Sequence, residues 1–187
     1  LIQYNDFPDR WRDTLNHISS ANKKGIITTG QVGSRPIGVL MGFNTSVNPF
    51  SSHEAWKKIK HLSNKERNNI IKNDINIRNS LINDIPDNAH IKWIKQTFPL
   101  TYLLKEPLNY EPTKEMSISS IASRLNKEPW EIILNHFTSS ENDEFLMHTF
   151  ENYTHNSLDV TAEMLESEHT ICGVGDAGAH VATICDA

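Results

Sequence analysis

Thr170-Ile171-Cys172-Gly173-Val174-Gly175-Asp176-Ala177-Gly178-Ala179-His180-Val181 is the stretch on which the fold turns. A short apolar run stops at two glycines. An aspartate follows at once, then a third glycine and a histidine. A buried strand that ends at a functional site has this form. Its apolar part lies in the core, and the first polar side chain beyond it faces whatever occupies the strand's C-terminal edge. The glycines allow a sharp turn and a close approach of other groups.

Three readings of this stretch compete. The first is a glycine-rich turn with a solvated aspartate. The second is a dinucleotide fingerprint, since Gly173, Gly175 and Gly178 fit G-x-G-x-x-G. That motif requires a βαβ unit and a later acidic residue, and no second strand is expected in the residues that follow here. The third is a metal-dependent hydrolase with Asp176 at the end of a strand.

Working outward, the same grammar occurs near the start of the chain. Asp9 can cap a helix carrying Trp11, Leu15, Ile18 and Ala21 at helical spacing. Lys23, Lys24 and Gly25 close it. Ile26-Ile27-Thr28-Thr29 reads as a β-branched strand, and helix–glycine–strand is a unit from which parallel sheets are built. This strand and Thr170–Val174 are expected to run parallel. The first strand leads into Gly30-Gln31-Val32-Gly33-Ser34-Arg35-Pro36. There Gln31 can hydrogen-bond a substrate, and Arg35 can hold a carboxylate with two parallel hydrogen bonds. Equally, Arg35 can make a structural ion pair and Gln31 can face solvent. Ile37–Gly42 is a second short strand or a buried loop.

From residue 48 to about 97 the pattern is polar and helical. Ser52 can cap one helix, and Ser63 with Glu66 forms a capping box for the next. His53 and His61 read as surface histidines. Phe98–Leu104 is a short strand. Ser117 opens a helix, Pro129 suits the first turn of another, and Val160, Met164 and Leu165 make one more. His136, His148 and His155 lack ligand-like spacing.

Gly175-Asp176-Ala177-Gly178-Ala179-His180-Val181, followed by Ile184-Cys185-Asp186-Ala187, resembles the Asp-x-Gly-Ala-His block of the amidohydrolase superfamily. The branch is that of the D-aminoacylases, which hydrolyse N-acyl-D-amino acids. A second block, Gln31-Val32-x-x-Arg35-Pro36-Ile37-Gly38, and a third, Tyr110-x-Pro112 with Ile118-x-x-Ile121-Ala122 and Pro129-Trp130-Glu131, follow the same order. Gly175 stands where the family often has serine.

The resemblance implies part of a (β/α)8 TIM barrel, from about helix 5 to strand 8. Residues 1–187 would form one piece of that domain, with a helical insertion over about 48–97. It implies one or two divalent metals, zinc the expected one, which lower the pKa of bound water to about 7. Asp176 matches the carboxylate that touches the metal and moves the proton. His180 supports the turn or faces the substrate, with Gln31 and Arg35 as further substrate contacts. No His-x-His pair occurs in the sequence, so the remaining ligands are expected outside this chain, and the chain alone is expected to be inactive. The function implied is hydrolysis of a non-peptide C–N bond in a small amide. The alternative is a non-catalytic binding or assembly domain that retains the barrel segment.

Composition sets the outer limits. The 187 residues carry a net charge of −5 and are 37% hydrophobic. One domain with a sizeable core is possible at this length, with much of the middle at the surface. The acidic balance argues against nucleic acid as a partner, and no apolar run suits a membrane span. Cys172 and Cys185 form no metal or redox motif and read as small buried hydrophobes. A cytoplasmic location is expected. Because Leu1 is not Met, residues ahead of it are expected too. Half a barrel leaves sheet edges open, so copies of the chain are expected to associate.

Overall fold

The computed structural model describes residues 1–173 and 183–186. It is a mixed α/β chain. In order it runs α1 (Arg10–Lys23), β1 (Gly30–Val32), β2 (Ile37–Met41), α2 (Glu54–Ile59), α3 (Asn64–Asn73), α4 (Ile75–Asn83) and α5 (Ala89–Thr97). Then come β3 (Thr101–Leu103), α6 (Ile118–Leu125), α7 (Pro129–Phe137), β4 (Leu146–Glu151), α8 (Asp159–Leu165), β5 (Thr170–Cys172) and β6 (Ile184–Asp186). No barrel is seen among the described residues. No helix among them is long and apolar enough to cross a membrane.

The described residues divide into two compact units, the first built from 1–39, 149–173 and 184–186, the second from Leu40–His148 with Thr183. In the first unit, β1 and β5 pair in parallel, with Gly30 opposite Thr170, Gln31 opposite Ile171 and Val32 opposite Cys172. Trp11 of α1, Val32 and Met164 of α8 are buried together beneath this pair, with Leu1, Leu15, Val160 and Leu165 packed around them. The helix pattern read over Trp11–Ala21 thus buries its tryptophan against the strands, as its spacing requires.

Ile26–Thr29, expected as the strand, is not one; the strand that pairs in parallel with Thr170–Cys172 is Gly30–Val32, which does not overlap it and begins four residues after Ile26. The reason is local. After α1, Gly25 takes φ +80° and turns the chain. Asn22 then captures both backbone groups of Thr28. Its Nδ2 donates to the Thr28 carbonyl at 2.7 Å, and its Oδ1 accepts the Thr28 N–H at 3.3 Å. With its ladder groups occupied, Thr28 is not available for strand pairing. Ile26 and Ile27 stand 60% and 94% exposed. Pairing begins at Gly30, where an added Cβ would lie 2.2 Å from Leu1 Cδ1 and 3.0 Å from Ile18 Cδ1, so those side chains would have to shift to admit it.

In the second unit, β3 and β4 pair antiparallel, Tyr102 opposite Met147. Its core is aromatic. Phe43 stacks on Trp56 at 4.6 Å and meets Phe137 edge-on at 4.9 Å; Trp130 meets Phe50 and Phe98 at 5.6 and 5.5 Å. Local signals hold here. Ser63 and Glu66 cap α3 reciprocally, Ser117 caps α6, and Pro129 opens α7. Three expectations fail. The residue capping α2 is His53, not Ser52, and that histidine is fully buried rather than superficial. Cys172 is exposed, so it is not a core hydrophobe.

Candidate functional site

Parallel pairing gives β1 and β5 a common direction, so their C-terminal ends lie side by side. The chain leaves β1 at that edge toward Gly33 and Arg35, and it leaves β5 there at Gly173. The ladder carries on one step past β5, where the Gly173 N–H donates to the Val32 carbonyl at 2.8 Å. Gln31 is exposed on β1. A Cβ on Gly173 would lie 2.9 Å from Gln31 Cβ. Gly173 therefore passes directly against Gln31, an approach only glycine permits. Arg35 is half-buried in the turn. Asp176 and His180, the other two residues singled out from sequence, lie outside the described residues.

Two residues that the sequence did not single out border this edge. Asn152 follows β4 with φ +61°, a left-handed backbone that asparagine tolerates better than most residues. Its side chain is fully buried. Oδ1 accepts the Gln3 N–H at 2.8 Å, and Nδ2 makes a long 3.4 Å contact with the Gly33 carbonyl. The Asn152 N–H donates to the Gln3 carbonyl at 3.0 Å. Gln3 is also fully buried, its Oε1 accepting the Thr154 N–H at 3.3 Å. Gln3 Nε2 has no hydrogen-bond partner among the described residues. Beside them, Glu151 accepts the Asn5 N–H at 2.7 Å. Burial raises its carboxyl above the usual range, an effect that the Asn5 hydrogen bond opposes and nearby Asp6 reinforces. The only sequence signal for Asn152 was an asparagine just after a β-rich run, which is common in turns.

The histidines of the second unit make a different kind of environment. His53 packs between the rings of Phe50 and Trp130, 5.3 and 5.0 Å away, with neither ring nitrogen hydrogen-bonded among the described residues. Burial lowers its pKa to about 4. His148 is lowered to about 4 for the same reason, against the raising effect of its hydrogen bond to the Leu100 carbonyl. His136 shifts in the same direction, and its Nε2 lies 2.8 Å from the Phe145 carbonyl. These are neutral core groups. Among the described residues, no group of three or more His, Cys, Asp and Glu side chains could hold a metal ion. No family model matches the chain, and no curated protein or solved structure resembles it at a significant level.

Proposed function

We propose that this chain is a portion of a metal-dependent amidohydrolase that hydrolyses the C–N bond of small amides, with N-acyl-D-amino acids as the substrate class. In this reading β1 and β5 are strands of a partial (β/α)8 barrel. One observation carries it. β1 and β5 pair in parallel, so Val32–Gly33 and Cys172–Gly173 share one C-terminal edge, and the C-terminal edge of parallel strands is where such enzymes keep their chemistry.

The roles follow from the side chains. Arg35 grips the substrate carboxylate through two parallel hydrogen bonds, a geometry suited to its planar fork. Gln31, exposed beside Gly173, offers a donor and an acceptor to the amide. Asp176 accepts the proton of the attacking water and passes it to the leaving nitrogen. His180 borders the substrate. The divalent metal of this reading, zinc by expectation, would make that water acidic enough to ionise near neutrality.

A second reading, a non-catalytic binding or assembly domain, draws on one feature of the first unit: Ile27 and Ile171 stand 94% and 53% exposed. Release of free amino acid from N-acetyl-D- and N-acetyl-L-amino acids by the whole protein, with divalent metal supplied, separates the two. Hydrolysis that Asp176→Asn abolishes supports the enzyme. No hydrolysis of either hand, together with concentration-dependent self-association, supports the assembly domain.

A further inference from the structure

The Leu1–Gln3 segment runs alongside β1. The Leu1 nitrogen donates to the Gln31 carbonyl. Two residues further along each segment, Gln3 and Gly33 meet the same side chain, Asn152, so the two segments run the same way. In a parallel ladder the next rung after Leu1 to Gln31 falls two residues further along each strand. It would be the Gln3 N–H donating to the Gly33 carbonyl. That rung is absent. In its place stands one side chain: Asn152 Oδ1 takes the Gln3 N–H at 2.8 Å, while Asn152 Nδ2 faces the Gly33 carbonyl at 3.4 Å. The carboxamide has been inserted into the ladder, with its acceptor toward the donor and its donor toward the acceptor. It stands between the two groups in place of a direct rung, holding the Gln3 N–H firmly and the Gly33 carbonyl at longer range.

We propose that Asn152 is a positioning residue: its carboxamide wedges Leu1–Gln3 away from the end of β1, and the opened Gly33–Arg35 turn is thereby set so that Arg35 can grip a substrate carboxylate. The inference rests on the reading of Arg35 as the carboxylate contact. Three observations support it. The carboxamide is completely buried, so its orientation is fixed by the two strands and not by solvent. The backbone at Asn152 holds φ +61° and is itself tied to the Gln3 carbonyl at 3.0 Å, which anchors the wedge from behind. The contact falls on Gly33, the first residue after β1 and the start of the turn that carries Arg35.

Asn152→Gly tests it. Glycine keeps the left-handed backbone without strain and removes only the wedge. The probe is N-acetyl-D-alanine, titrated calorimetrically into the whole protein carrying Asp176→Asn to suppress turnover. The same titration is run with Arg35→Ala, with Asn152→Gly, and with the two combined. The thermal midpoint of each variant serves as a folding control. Asn152→Gly should weaken binding about tenfold, the order of one hydrogen bond to a charged group. It should add nothing in the Arg35→Ala background, because both changes disable the same contact. Asn152→Asp should not restore binding, since its second oxygen would face the Gly33 carbonyl. Arg35→Ala weakening binding while Asn152→Gly leaves it unchanged, or acts additively, overturns the wedge alone. Binding that survives Arg35→Ala, or no binding by any form, overturns the Arg35 reading and the wedge with it.

Discussion

The second unit should lose stability as the pH falls below neutrality, and His53 is the residue to perturb. Its ring is fully buried between Phe50 and Trp130, and neither nitrogen is hydrogen-bonded among the described residues. A charge there is costly to desolvate, and burial therefore lowers its pKa from 6.5 to about 4. Neighbouring His90 adds to the lowering, while Asp84 and the Phe50 backbone oppose it. The sign follows from the two states. The unfolded chain takes up a proton near 6.5 and the folded chain only near 4. Between those values the unfolded state binds more protons. Stability is complete above about 6.5 and is lost progressively as the pH falls toward about 4.

A tenfold difference in proton affinity between the two states is worth about 1.4 kcal/mol, so His53 removes roughly 3 kcal/mol at most over that window. His148, lowered to the same value, adds a comparable loss. Total stability of a domain is about 5–15 kcal/mol, so the combined effect should be large. The assay is urea unfolding of the protein followed by tryptophan fluorescence between pH 7.5 and 4. His53→Leu keeps the volume and has no polar atom to strand. At pH 7.5 it should be neutral or stabilising by about 1 kcal/mol, and its stability should fall less steeply with pH, by up to one proton's worth of slope. A wild-type stability that is flat from pH 6.5 to 4.5 would refute the reasoning. So would a His53→Leu variant that keeps the full wild-type slope.

Three further outcomes are expected. Asp176→Asn should lower turnover in the whole protein by about 10²–10⁴, the usual share of a general acid–base group, with the unfolding midpoint unchanged; turnover near that of the wild type would return Asp176 to being a turn residue. Arg35→Lys should raise KM with little change in kcat, because an ammonium cannot make the two-pronged contact. A loss of thermal stability with unchanged KM would identify a structural ion pair. Gly30→Ala would place a Cβ 2.2 Å from Leu1 Cδ1 and 3.0 Å from Ile18 Cδ1, so it should cost about 1–3 kcal/mol by overpacking; adding Leu1→Ala should recover part of the loss in chemical denaturation, and no recovery would place the strain elsewhere.

What the sequence made legible was mostly local. The Ser63–Glu66 box, the Ser117 cap and the Pro129 start are settled by residues within one helical turn, and each is where its chemistry places it. His53 was not legible, because its burial depends on Trp130, which comes from a distant helix. Nothing near His53 in sequence distinguishes it from His61, and the polar neighbourhood that rightly put His61 at the surface was a misleading guide for His53. The exposed Cys172 fails in the opposite way. Its apolar neighbours suggested a core strand, but β5 is only three residues long and pairs with β1 alone in its sheet.

The most informative misses involve asparagine. Asn22 takes both backbone groups of Thr28 and delays β1; Asn152 stands in for a rung at the other end of that strand. A carboxamide carries one donor and one acceptor side by side, and so matches a peptide group. It can end or open a ladder without leaving a backbone group unsatisfied, which a purely apolar or charged residue cannot do. Hydrophobic patterning sees only a polar residue at both positions. The position of β1, and hence of the turn carrying Arg35, is therefore set by two side chains that patterning assigns to solvent. Strand limits derived from β-branched runs alone should err most where such a residue lies within a few positions of the strand end, as happened at Ile26–Thr29.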